Sequence, residues 1–322
     1  MVAGTQSFPA LAHALASAAA VLNRPSDFVS PHFSCGGIPR NPAGFSQTLL
    51  PQITASTMNQ RTVKELFDLS GRTALITGGT GYLGTAFSQA LAEVGASVVI
   101  SSRDAARAEG AADALPQVSG AQHHGVSLDQ MDPESIRGGF QQAIKAAGTI
   151  DILVNNGLAA TSGDLTSVTF DEFAKHQHNN AGYFDLARRL RDHVVSRSVP
   201  GNVINIGSMY GQVGSYPDAY KDICAASPVA YHTLKGGTIH MTRHLAAYWA
   251  EDNVRVNCLS PGPFPNPESA PTAMVERLNQ RLPMKRMGLP WELKGAIVFL
   301  ASDASTYVTG ENLTVDGGWT AW

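Results

Sequence analysis

Beyond Arg61 the chain settles into a regular exchange of short apolar runs and longer amphipathic ones. The run "RTALITG" (72–78) is too short for a helix and too evenly apolar for a half-exposed strand, so it predicts a strand buried on both faces. In "LGTAFSQALAEVGA" the spacing changes: Leu83, Phe87 and Leu91 recur at i, i+4 and i+8, one stripe of a helix. "SVVIS" (97–101) predicts a second strand. The exchange continues through "QHHGVS" (122–127), a helix from Pro133 to about Ala147, "IDILVNN" (150–156) and a helix through "FDLARRLRDHVV". It ends with "NVINIGS" (202–208), the helix carrying Tyr231, "VRVNCLS" (254–260), a helix around "WELKGAIVFLAS" and a last strand "NLTVDG" (312–317). Strands separated by helices at this spacing require right-handed crossovers and a parallel sheet covered on both faces. Seven strands predict an α/β fold of three αβα layers with one continuous sheet, as one domain over residues 58–322.

The first 57 residues do not share this rhythm. They are rich in Ala, Ser, Pro and Thr, with a single acidic residue, Asp27. "ALAHALASAAAVL" is interrupted by His13 and lacks a preceding positive charge, which argues against a secretory signal. A transit-type leader, a disordered tail or an upstream start before Met58 all fit this segment, and the tail or upstream start is preferred.

Composition narrows the classes. The chain has 322 residues, 43% of them hydrophobic and 15% charged, which excludes a wholly disordered protein. A net charge of −3 without a basic block gives no nucleic-acid footprint. Cys35, Cys224 and Cys258 are widely spaced with no CxxC, which fits a reducing cytoplasm and neither a disulfide framework nor a zinc site. No apolar run has the length of a membrane span.

The chemistry begins at "TGGTGYLG" (77–84), between the first strand and its helix. Glycines at 78, 81 and 84 let the backbone turn sharply and approach a pyrophosphate resting on the helix N-terminus. Gly78, Thr80, Gly81, Tyr82, Leu83 and Gly84 are therefore the expected dinucleotide cradle. The second strand ends in "VVISSRD", with Ser102 and Arg103 where an NAD site usually offers a carboxylate. Serine and arginine suit a 2′-phosphate, so NADP is expected over NAD. The alternative is that Arg103 is an exposed helix-start charge and Asp104 the ribose ligand. In "YHTLK", Tyr231 and Lys235 share one face of a helix.

With "TGGTGYLG", "SLDQMD", "NNG", "NNAG", "NIGSMYG", "YHTLK", "NCLSPG" and "VDGG" in this order, the chain resembles the short-chain dehydrogenase/reductase family over roughly residues 68–322. The resemblance implies a compact Rossmann-type domain and reversible hydride transfer between a nicotinamide and an alcohol or carbonyl. It assigns Tyr231 as general acid/base, Ser208 as the hydroxyl that orients substrate, and Lys235 as the holder of the nicotinamide ribose. Asn179 matches the family's helix asparagine, with Asn180 as the alternative. Asp129 matches an adenine contact, Asn155 and Gly157 a turn packed on the cofactor, and Pro261, Gly262 and Phe264 the nicotinamide flank. The chemistry is coherent, because a free tyrosine with a pKa of about 10 is a poor acid/base group near neutrality. A lysine cation one turn away is expected to lower that pKa, Ser208 to stabilise the oxyanion, and Asn179 to anchor a water leading to Lys235.

Three departures qualify the resemblance. The TGxxGxxG spacing is that of the family's extended sugar-nucleotide branch, although the C-terminal part shows no added substrate domain. Leu158 follows "NNG" where alanine is frequent. Ser208 and Tyr231 are separated by about ten residues more than usual, which brings in Tyr216, Asp218, Tyr220, Lys221 and Asp222. These are either polar groups for a hydroxylated or anionic substrate, or a surface loop. His240 and His244 stand at i, i+4, but Met241 occupies the place of a zinc protease's glutamate, so no metal is expected. His123, His124, His176 and His178 have no third ligand at a convincing spacing.

The expectation is an NAD(P)-dependent oxidoreductase for a small polar substrate, a sugar acid or keto-sugar. The opening "LFDLSGRTALITGG" resembles gluconate 5-dehydrogenases, and "YHTLKGGTIHMTRHLA" resembles sugar-modifying oxidoreductases. A 3-oxoacyl thioester reductase and a non-catalytic dinucleotide sensor are the alternatives. Sensors of this fold tend to lose the Tyr/Lys pair, which this chain keeps. A homodimer or homotetramer is implied by the resemblance.

Overall fold

The computed structural model describes residues 60–118, 120–160 and 163–322. The expected leader over residues 1–57, and Cys35 within it, lie outside the described residues. Seven strands form one parallel sheet in the order β3-β2-β1-β4-β5-β6-β7. They are β1 (Thr73–Thr77), β2 (Ser97–Ser102), β3 (His123–Ser127), β4 (Ile152–Asn155), β5 (Gly201–Ile206), β6 (Val254–Pro261) and β7 (Asn312–Val315). The expected strands are all present. Those written to 208 and 317 stop earlier, because Ser208 already caps a short 3-10 turn (Met209–Gly211) and Gly317 has φ +64°.

The two-residue period of the strands sorts the core into two layers. Ala74, Ile76, Val98, Ile100, Ile152 and Val154 face one side. There they pack on Phe87 and Leu91 of the helix Tyr82–Glu93, and on Ile297 and Leu300 of the helix Lys294–Ala301. Leu75, Val99, Val126, Leu153, Val203 and Val256 face the other side, against the helices Pro133–Ala147, Phe170–Ser196 and Val229–Trp249. In chain order the helices are α1 (Val63–Phe67), α2 (Tyr82–Glu93), α3 (Ala105–Asp113), α4 (Pro133–Ala147), α5 (Phe170–Ser196), α6 (Pro217–Tyr220), α7 (Val229–Trp249), α8 (Thr272–Arg281) and α9 (Lys294–Ala301). Their starts follow local chemistry. Thr169 and Glu172 close a capping box on α5, and Asp132 with Pro133 opens α4.

The strand order reverses between β1 and β4, which diverge to β2 and β5 respectively. A crevice must open there, outside the C-terminal ends of the strands. No helix among the described residues is long and apolar enough to cross a membrane.

Candidate active site

A cleft of about 560 Å³ occupies that crevice. Its floor is the loop after β1. Gly78 has φ +60°, and a Cβ there would meet the Gly157 Cα at 2.8 Å. At Gly84 a Cβ would stand 2.1 Å from the Gly78 carbonyl oxygen, so α2 can start this close to the loop only with glycine. Thr77 staples the loop to the turn after β4: its Oγ1 accepts from the Asn156 and Gly157 amides at 3.0 and 2.9 Å. The Asn156 side chain donates to the carbonyls of Thr77 and Gly78. Thr80, Gly81, Tyr82 and Leu83 line the cleft with the N-terminus of α2 behind them. That geometry suits a pyrophosphate.

One end of the cleft carries Ser102, Arg103, Arg107 and Asp129. Asp104 is not on the wall. Its carboxylate caps α3 by accepting from the Arg107 amide at 3.1 Å. Arg107 was not singled out by pattern. Its guanidinium folds back across the glycine loop to donate to the Thr80 carbonyl at 3.2 Å. Asp129 turns its carboxylate to the Met131 amide, fixing the bend after β3.

The other end holds Gly207, Ser208, Tyr231, Lys235, Pro261, Gly262 and Phe264. Lys235 is buried, and its Nζ donates to the Ile206 carbonyl at 2.6 Å. Burial pulls its pKa down to about 8. Tyr231 departs from expectation. Its pKa is pushed upward, because burial outweighs the opposing influence of the Ser208 hydroxyl. The downward pull thus comes from Ser208, while the lysine ammonium is directed at a backbone carbonyl. Ser208 Oγ accepts from the Tyr210 amide, which leaves its own proton free to donate.

Two asparagines also differ from expectation. Asn155 lies behind the wall, fully buried, donating to Tyr183 O and Asn205 Oδ1; the neighbouring Asn156 faces the cleft. Asn179 has every hydrogen-bonding position of its amide occupied by protein. Its Oδ1 accepts from Gln130 Nε2 and the Ala159 amide, and its Nδ2 donates to Ala159 O and His176 O. A water on that side chain has no place, so the amide acts as a clamp on the 157–159 loop. Asn180 instead ties α5 to α7 through Leu234 O and Thr238.

Gln130, another residue that pattern did not flag, bridges the clamp to Gly157 O at 2.7 Å. Its Oε1 is buried without a hydrogen-bond partner on the cleft wall. An orphaned acceptor in a polar cleft fits a ligand rich in hydroxyl and amine donors. With the glycine cradle, where a Cβ would intrude, and cationic side chains at one end, the residues present fit a nicotinamide dinucleotide. Among the described residues, no group of three or more His, Cys, Asp or Glu side chains is placed to hold a metal ion.

The segment before Tyr231 divides sharply. Asp218 is exposed and ion-paired to Arg281 of α8, while Lys221 and Asp222 face outward. Arg277 donates to the carbonyls of Asp218 and Lys221 at 2.8 and 2.7 Å. Tyr220 alone of the five is buried. It joins Tyr210, Leu278, Leu282 and Trp319 in a cluster against which Tyr231 and Tyr216 pack.

A parallel sheet with a glycine cradle at its switch point and a Ser, Tyr, Lys set beside it defines a nicotinamide-dependent oxidoreductase. The family model described as enoyl-(acyl carrier protein) reductase matches residues 81–320. D-arabinitol 2-dehydrogenase [ribulose-forming] of Scheffersomyces stipitis is 33% identical, over 80% of this chain and 96% of its own length. The 3-oxoacyl-[acyl-carrier-protein] reductase of Aquifex aeolicus is 31% identical, over 78% of this chain and 98% of its own. The crystal structure of a gluconate 5-dehydrogenase from Burkholderia cenocepacia, in complex with NADP and tartrate, superposes with a TM-score of 0.71 at 30% identity, covering 81% of this chain and 100% of that one. The chain belongs to the short-chain dehydrogenase/reductase family, whose members here act on CH–OH groups with NAD(P).

Proposed function

We propose that the protein is an NADP(H)-dependent dehydrogenase that interconverts a hydroxyl of a polyol or sugar with the corresponding ketone. The observation that carries this reading is the meeting of Ser208, Tyr231 and Lys235 at one end of a cleft whose other end bears Arg103 and Arg107. When bound, the nicotinamide supplies or accepts the hydride. Tyr231 gives its phenolic proton to the carbonyl oxygen in reduction and takes it back in oxidation. Ser208 donates to the same oxygen as charge develops there. Lys235, still a cation at neutral pH with its pKa at about 8, would hold the nicotinamide ribose. Asn179 keeps the 157–159 loop in register beneath them.

NADP is preferred over NAD because two guanidinium groups stand near Ser102 while Asp104 is committed to its helix cap. A neutral substrate is preferred because the charged residues of the long segment face outward, Asp218 pairing with Arg281 of α8. The arabinitol dehydrogenase among the relatives supports the same class. Residues 58–322 are proposed as the catalytic domain. Exposed Phe184 and Tyr248, on α5 and α7, support a homodimer or homotetramer.

The test follows nicotinamide absorbance with pentitol–ketopentose pairs, gluconate-type acids and 3-oxoacyl thioesters. Turnover of the neutral pairs with NADP(H) is expected. Turnover confined to the acids or the thioesters overturns the polyol reading.

A further inference from the structure

The long segment between Ser208 and Tyr231 carries a consequence for substrate choice. It is held down from outside by α8, through Arg277 on two carbonyls and Arg281 on Asp218. Arg281 also lies over the Tyr216 ring, 4.9 Å from its centroid, and Tyr216 packs edge-on against Trp319 at 5.2 Å. These contacts consume both arginines of α8 that face the segment. What they press inward is Tyr220, only 8% exposed at the end of α6.

Tyr220 does not stand alone. Its hydroxyl lies 2.6 Å from that of Tyr210, two residues beyond Ser208. The Tyr210 ring in turn stacks on His232, the neighbour of Tyr231, with centroids 4.6 Å apart. His232 is itself fixed by Ser227 at 3.0 Å. Two phenol groups are thus rigidly mounted in the cluster on which Tyr231 packs. A buried hydroxyl pair usually has one proton engaged in the mutual bond and one left over. Either hydroxyl can be the donor of the mutual bond; with Tyr210 donating, the Tyr220 proton is left to be given elsewhere.

Resting on the dehydrogenase reading above, we propose that Tyr220, braced by Tyr210, is a specificity-determining residue. Its hydroxyl donates to a hydroxyl oxygen on a carbon close to the one being oxidised or reduced, in a neutral polyhydroxylated substrate. A site built to satisfy a hydroxyl discriminates strongly against analogues that lack it, because its own polar group is then left unpaired. With Arg277 and Arg281 committed to the segment, it offers no such cation to a carboxylate.

The experiment compares wild type, Tyr220→Phe and Tyr210→Phe on a polyol–ketose pair and on the deoxy analogues missing one neighbouring hydroxyl. Tyr220→Phe should raise KM for the full substrate about tenfold with a much smaller change in kcat. For the analogue lacking the contacted hydroxyl, the penalty should vanish. Tyr210→Phe should give a smaller rise with the same dependence on that hydroxyl. Quenching of Trp319 in the same cluster provides a binding readout independent of turnover. An unchanged KM for Tyr220→Phe, or an equal penalty on full and deoxy substrates, overturns the proposal while the polyol reading stands. Wild-type turnover of acids or thioesters alone overturns both.

Discussion

The ammonium of Lys235 lies 5.8 Å from the centre of the Tyr231 ring, one helical turn along the same face of α7. Its nearest acceptor is the Ile206 carbonyl at the end of β5, so sheet and helix fix the cation jointly. Burial depresses its pKa from 10.5 to about 8. In the window between those values the unfolded chain binds the proton and the folded one does not, so stability rises with pH. Below about 8 both forms are protonated and the full burial cost remains. Lys235→Met should remove a term on the order of 3 kcal/mol. Measured without nicotinamide, its melting temperature should gain on wild type most at pH 7, and that gain should shrink towards pH 10.5. A pH-independent difference would show that Lys235 is not titrating in this way.

Tyr231→Phe retains the ring but not the proton. Turnover should fall by roughly 10²–10⁴, while NADPH binding, followed by its fluorescence, should change little. Substantial activity in this variant would remove Tyr231 from the proton-transfer role.

At the opposite end of the cleft, Arg103 and Arg107 are proposed to share one phosphate. Each changed alone to Glu should raise KM for NADP about tenfold or more and leave KM for NAD nearly unchanged. The double variant should favour NAD. If Arg107→Glu leaves the ratio unaltered, its contact with Thr80 is purely structural.

The contrast between these arginines shows which features were legible in the sequence. The alternation of strand and helix, the glycine loop and the Tyr231–Lys235 spacing are local patterns, and all reappear in the fold. Arg107 could not be read, because its significance lies in a contact to Thr80 from across the cleft. Asn155 and Asn156 were confused by one residue, and a one-residue step at a strand end exchanges a buried ladder for the cleft wall. Gln130 matters through Gly157 and Asn179, which only tertiary packing brings to it. The helix α8 was missed because its apolar stripe is narrow, with Leu278 its only buried residue. The expected lowering of the Tyr231 pKa failed because helical spacing reveals proximity to a cation but nothing about burial.

Gly84→Ala is the most local test of the cradle. The added methyl would stand 2.1 Å from the Gly78 oxygen and 2.9 Å from both the Asn156 amide nitrogen and the Gly79 Cα. Two of these three are backbone, so the loop must move for α2 to begin. Cofactor affinity should fall at least tenfold, with the melting temperature lowered by several degrees. Wild-type affinity would place the dinucleotide elsewhere.

Asn179→Ala separates clamping from chemistry. The change leaves Gln130 Nε2 short of one acceptor and frees both the amide and the carbonyl of Ala159. Each unsatisfied buried group costs about 1–3 kcal/mol where water cannot replace the bond. The 157–159 loop should therefore loosen before the sheet does. Hydrogen exchange at the Ala159 amide should accelerate by more than tenfold, while amides in β4 and β5 keep their protection. KM for the nicotinamide should rise, because Gly157 and Ala159 line the same cleft. The pH profile of kcat should keep its shape, since Tyr231 and Lys235 are untouched. A shifted profile with an unchanged Ala159 exchange rate would instead make Asn179 part of the proton path and not a clamp.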